Sequence, residues 1–184
     1  MPLNTHPLPF GLRDVKLTGF TSEAATAYET TSLDLPVSRT FSFSDTEDFE
    51  DLQGDDTTAA SHGSGPSVEW ELESGGLPFE CFKLMAGGTT TESGTTPNMK
   101  KVYSKLATDS RPYFKAEGQA ISDSGGDVHG LVFKCKATGS LEGEFAQGAF
   151  QLLSASGRGF PSTVTADLGK LYDFVQNETA VAIA

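Results

Sequence analysis

The stretch PSVEWELES, residues 66–74, constrains the fold of this chain more than any other. Val68, Trp70 and Leu72 alternate with Glu69, Glu71 and Glu73. A side-chain period of two is the mark of a strand, whose successive residues point to opposite faces. One face of this strand must pack against other apolar groups, and the other must meet water or a polar partner. A chain built around such a strand needs a second layer to cover the apolar side.

Other segments follow the same pattern. Leu12 to Phe20 sets Val15 and Leu17 against Asp14, Lys16 and Thr18, which suits a half-buried strand. Leu33 to Ser44 reads as one strand, with Phe41 and Phe43 on one face, Ser42 and Ser44 on the other, and Pro36 at an edge or bulge. Met99–Leu106, Tyr113–Ile121 and Val128–Thr138 read as further strands. In the last of these, Leu131, Phe133 and Cys135 point inward, and Val132, Lys134 and Lys136 outward. SDSGGD, residues 122–127, is a turn that makes the last two strands a hairpin. Ser140 to Ser154 reads as a strand whose phase slips at Gly148, as a bulge would cause. Residues 168–183 are expected to form a strand and then a tail, so that 163–184 is a C-terminal strand or arm.

Only one segment has helical spacing. In LPFECFKLMAGG, Leu77, Cys81, Leu84 and Met85 share a face, Pro78 suits the first turn, and Gly87-Gly88 ends the run. Residues 21–32, 89–98 and 155–162 are rich in Thr, Ser, Gly and Pro and read as loops. Residues 1–10 hold three prolines and read as an extended arm carrying Leu3, Leu8 and Phe10. The expected architecture is mainly β: an antiparallel sandwich or barrel with one short flanking helix at 77–86, a long inter-strand loop at 45–65, and extended termini. The 184 residues show no break in composition, so one domain is expected.

Charge is unevenly placed. DTEDFEDLQGDD, residues 45–56, holds seven carboxylates and no cation. The whole chain carries 13 Lys and Arg against 25 Asp and Glu, a formal net charge of -12. That balance argues against wrapping nucleic acid, because phosphate binding needs clustered Lys and Arg. A surface that must avoid adhering to nucleic acid is not excluded. No run of about 18 apolar residues is present to span a membrane. The opening MPLNTHPLPFGLRD has no basic segment followed by an apolar one, so no secretory signal is expected.

No cofactor, metal or catalytic site is expected. The acidic stretch fails as a calcium loop: counted from Asp45, the fifth and sixth positions are Phe49 and Glu50, where an oxygen ligand and then Gly are required. Cys81 and Cys135 lie in apolar patterns and read as buried free thiols, with a disulfide between them as the alternative that nothing in the sequence requires. His129 and Cys135 share a strand but sit too far apart along it to hydrogen-bond. No GxSxG, HExxH, CxxC or P-loop pattern occurs.

The order of features resembles a known family. A strand RTFSFS enters an acidic stretch ending in LQGDD, then the small-residue run TTAASHGSGP, then VEWELESGG and a short helix ending MAGG. This resembles the major tail, or tail tube, proteins of long, flexible, non-contractile-tailed bacteriophages, especially those infecting actinobacteria. The resemblance is strongest over residues 33–88 and extends to the hairpin at 111–155. It implies a sandwich subunit, six to a ring, with rings stacked into a tube. The implied partners are other copies of the chain, the tape-measure protein, the tail terminator and distal tail proteins, and DNA in passage. Assembly in the host cytoplasm and residence in the virion tail are implied too.

On that reading the acids acquire a use. Carboxylates facing DNA phosphates would leave a repulsive lining without attractive wells. The candidates for the lumen are Glu142, Glu144, Asp45, Glu47, Glu69, Glu71 and Glu73. The candidate inter-ring loop residues are Glu50, Asp51, Leu52, Asp55, Asp56 and His62. Arg13, Arg39, Lys134 and Lys136 are candidate cations across subunit contacts. The expected core comprises Phe41, Phe43, Val68, Trp70, Leu72, Cys81, Leu84, Leu131, Phe133 and Cys135. The alternative is a non-enzymatic capsid-decoration or host-binding module; an enzyme or lectin would need a metal or a convergent polar pocket.

Overall fold

The computed structural model describes residues 7–54, 57–76, 78–143, 147–148 and 150–183. Eleven strands and one helix run in the order β1 (Pro9–Phe20), β2 (Tyr28–Asp34), β3 (Ser38–Gly54), β4 (Thr57–Gly75), α1 (Phe79–Ala86), β5 (Thr89–Ser93), β6 (Lys100–Ser104), β7 (Phe114–Ser122), β8 (Asp127–Lys136), β9 (Leu141–Gly143), β10 (Leu152–Gly159) and β11 (Tyr172–Asn177). The fold is mainly β and antiparallel, with one short helix.

The large sheet runs β2-β1-β7-β8-β10-β4-β3, with β11 also on β8 and β9 also on β10. It folds back on itself. β8 pairs with β7 and β11 along most of its length, and only its end, at Cys135 and Lys136, meets β10. The β3–β4–β10 layer therefore lies across the β1–β7–β8 layer. Trp70 of β4 meets Phe114 of β7 edge to face, with ring centroids 5.4 Å apart. Around this pair are buried Val15, Leu17, Val68, Leu72, Cys81, Met85, Ala116, Val132, Cys135 and Leu153. Two glycines permit the crossing. A Cβ on Gly118 would stand 2.6 Å from Cδ1 of Phe41, and one on Gly130 would stand 3.0 Å from Cε1 of Phe43. Both rings pack against backbone that carries no side chain.

The alternation of residues 68–73 is realised as expected: Val68, Trp70 and Leu72 are buried, while Glu69 and Glu71 are exposed and Glu73 is half-buried. The helix starts at Phe79, with Pro78 capping it from outside the first turn, and Gly87 ends it by donating to the Lys83 carbonyl. Cys81 and Met85 are buried and Leu84 half-buried; Leu77 falls outside the described residues. Both thiols are buried and free.

Several expectations need correction. Leu33–Ser44 is not one strand: Leu35–Val37 forms a turn, with Val37 at φ 52°, and β2 ends before it. Much of 21–32 and 89–98 is strand, not loop. β5 is made of polar Thr, Ser and Glu, and β2 is polar apart from Tyr28 and Leu33; neither has an alternating apolar face, and ladder hydrogen bonds hold them to β6 and β1. Residues 152–159 form β10 through the supposed loop ASGRG, because small residues suit a strand pressed between β4 and β8. The segment 140–154 divides into β9 and the start of β10, with Gly148 in a turn at φ 79°. In β8 the ladder slips between Val132 and Cys135. That bulge turns Val132 into the core and leaves Leu131 half-buried on the other face, reversing the expected phase there. Phe133 is buried outside the main cluster, beneath the Lys170 ammonium. Phe41 and Phe43 are half-buried at the core's edge.

Candidate functional site

The acidic stretch is not an unpaired loop. β3 and β4 stay in antiparallel register beyond the sandwich, from Thr46↔Ser67 to Gly54↔Thr57, with shifts after Thr46 and Leu52. Backbone ladders need no side-chain pattern, which is why an irregular polar sequence can form one. At roughly 3.3 Å per residue this two-stranded arm reaches about 30 Å past the core. Its tip residues Asp55 and Asp56 fall outside the described residues.

Among the described residues nothing covers the arm. Every described residue from Thr46 to Gly54 and from Thr57 to Pro66 is exposed, except half-buried Gly63. Phe49 is 66% exposed and Leu52 67%. Glu47 lies with Phe49 over Gly63, where there is no side chain to displace them. Glu50 faces His62, and Asp51 faces Ser61. Between residues 45 and 67 His62 is the sole basic side chain.

The register sorts the acids into two faces. On β4, Glu69, Glu71 and Glu73 stand opposite Ser44, Ser42 and Thr40 of β3 and Arg158, Ser156 and Ser154 of β10. Glu142 of β9 joins this row beside Ser154. Ser140 donates to its carboxylate at 2.7 Å. The result is a hydroxyl-rich outer face with four carboxylates and two guanidinium groups, one of which, Arg39, pairs with Glu73 at 2.9 Å. Asp45 lies on the opposite face: it pairs with Val68 and lies 3.5 Å from the Tyr172 hydroxyl. Glu144 falls outside the described residues. The expected cations are dispersed: Arg13 is exposed on β1, while Lys134 and Lys136 each place an ammonium 4.7 Å from the Tyr113 ring centroid.

A second polar cluster escaped sequence reasoning. On the outer face of the β7–β8 layer, the Asp127 carboxylate accepts hydrogen bonds from Asn177 Nδ2 at 2.8 Å, from the Val181 amide at 2.9 Å and from the Gln119 side chain. Gln119 also donates to the Val181 carbonyl at 2.9 Å. His129 Nδ1 lies 3.0 Å from Glu117, and its Nε2 lies 3.0 Å from Asp127 and 3.1 Å from the Val181 carbonyl. Each of these partners is an acceptor, so the imidazolium, with two N–H groups, fits the site best. Burial alone would lower the His129 pKa, but the two carboxylates outweigh it and raise it. Burial would likewise raise Asp127, yet its donors hold it at about 2. Lys115 completes the cluster by pairing with Glu117 at 3.0 Å, and Lys16 donates to the Ile183 carbonyl at 2.7 Å. The cluster fastens residues 181–183 to the sheet. The partners of His129 are Glu117 of β7, Asp127 two residues back on its own strand, and the tail at Val181.

Among the described residues no group of three or more His, Cys, Asp and Glu side chains is placed to hold a metal ion. No protein-family model matches the chain, and no curated protein matches it.

Proposed function

We propose that the chain is a structural subunit that assembles with its own copies, as stacked rings, into a bacteriophage tail tube. The single observation that carries this reading is the uncovered arm. A lone two-stranded ribbon is marginal in water, and this one displays Phe49 and Leu52 with no surface among the described residues to receive them. A second copy supplies that surface, and a contact that translates as well as rotates continues into an open stack. The resemblance over residues 33–88 points the same way. In such a tube the face bearing Glu69, Glu71, Glu73 and Glu142 is suited to the lumen, because its short hydroxyl side chains and excess carboxylates offer phosphate no deep well. The enclosed partners would be the tape-measure protein and then DNA.

A capsid-decoration or host-binding role is the second reading, favoured by Phe174, which stacks on Phe43 and is 66% exposed. Electron microscopy of concentrated protein separates the two: hollow tubes or six-fold rings are expected, and a dispersed monomer would sink the tube. A variant with residues 47–66 replaced by Asn-Gly, a two-residue turn joining Thr46 to Ser67, should fold and fail to stack. Long tubes from that variant would remove the arm from the mechanism.

A further inference from the structure

The arm has an end, and the same hairpin has a base. At the base lies a groove of about 850 Å³ lined by Val37, Arg39, Gly75, Gly76, Phe150 and Leu152. Its character is unusual for a free surface. Phe150 is 96% exposed and Val37 is 74% exposed. Gly75 and Gly76 form a floor without side chains, braced by hydrogen bonds from the Gly75 amide to the Val37 carbonyl and from the Gly76 amide to the Gln151 carbonyl. Val37 holds φ at 52°, a conformation that strongly disfavours a β-branched residue. Strain of this kind persists where the surrounding structure enforces it, and it concentrates at working surfaces. Here it turns an apolar side chain outward.

We propose that this groove receives the arm of a second copy, with Leu52 entering between Val37 and Phe150; the assignment rests on the tube reading and names its receptor. Two observations select this occupant. The arm carries the chemistry the groove lacks: apolar side chains flanked by Asp48, Glu50 and Asp51, against an apolar cleft whose charged group is Arg39. The two features also stand at opposite ends of one hairpin, so a translation along it superposes the arm of one copy on the base of the next. The chain from Gly75 to Gly63, which faces Phe49, and on to Ala60, which faces Leu52, corresponds to about 40 to 50 Å of strand at roughly 3.3 Å per residue. The stack should therefore repeat axially at no more than about 50 Å.

The test uses the full chain. A Leu52→Cys chain is mixed with a Phe150→Cys chain, allowed to assemble, and oxidised mildly. A disulfide-linked dimer joining positions 52 and 150 is expected, absent from either variant alone and from Leu52→Cys mixed with Phe174→Cys. Val37→Asn gives a second readout. Asn tolerates positive φ better than a β-branched residue, so the subunit should be at least as stable while tube formation is lost. Tubes without the 52–150 link, or tubes of undiminished yield from Val37→Asn, overturn the groove and leave the tube reading standing. Absence of rings and tubes from the parent chain overturns both.

Discussion

Asp127→Asn is the most informative single change to this fold. The side chain is 1% exposed and is surrounded by donors from Gln119, Asn177, His129 and the Val181 amide. Its folded pKa of about 2 lies below the ordinary 3.8. A depressed carboxylate stabilises the fold at pH values above its unfolded pKa, and that contribution is lost as pH falls through the folded one. At about 1.4 kcal/mol per pKa unit, the charge contributes about 2 kcal/mol at neutral pH. The amide of Asn turns a donor toward donors, leaving at least one buried N–H unmet at a further cost of about 1–3 kcal/mol. The expected loss is about 3–5 kcal/mol. With a urea slope of about 2 kcal/mol per molar, the unfolding midpoint at pH 7 should fall by about 1.5–2.5 M at dilute protein concentration. Amide exchange at Val181 should accelerate with it, since Asp127 is its acceptor. The gap between parent and variant should narrow toward pH 2, where the parent carboxylate protonates. An unchanged midpoint with unchanged exchange at Val181 would refute the assignment of this network as the fastening of the tail.

Three further outcomes are expected. His129 has a raised pKa, so its contribution is complete below about 6.5 and is lost as pH rises through the folded value; the parent should lose stability on the alkaline side, and His129→Gln should flatten that limb of a pH series of urea midpoints. Trp70→Ala should cost about 3–5 kcal/mol, whereas Trp70→Phe should cost markedly less, because the buried indole Nε1 has no hydrogen-bond partner among the described residues to lose; thermal unfolding measures both. Burial pushes the Cys81 thiol to about 11 and Cys135 higher still, so a thiolate-selective reagent at pH 8 should label neither residue until the chain unfolds.

What could be read from the sequence followed burial. Residues 68–73 and the hairpin around SDSGGD were legible because one face of each strand is apolar and the other is not. The helix was legible because its apolar spacing changes from two to nearly four. β2, β5 and the outer part of β3 and β4 were not, because their hydrogen bonds form between backbones and their side chains lack a two-faced pattern. The bulge in β8 defeated parity at Leu131 and Val132, since one added residue inverts every assignment beyond it. The acids on β4 were found by alternation, but their separation from Asp45 required the register. The cluster at Asp127 was invisible for a different reason: apart from Asp127 and His129, which sit two apart on β8, its members are drawn from segments between residues 115 and 181, and no local spacing brings these together.

The same cluster sets an order of events in synthesis. Chains emerge from the ribosome N-terminus first, so β7 and β8 are complete well before residues 181–183 appear. Until then Asp127 and His129 lack the Val181 groups that satisfy them, and Lys16 lacks its carbonyl. The β1–β7–β8 layer must wait in a weakened form for the last of these residues, and a subunit cannot reach full stability while that segment is still threaded in the exit tunnel. Interrupted translation thus leaves a sheet with an open ionic cleft, the kind of fragment that proteases remove.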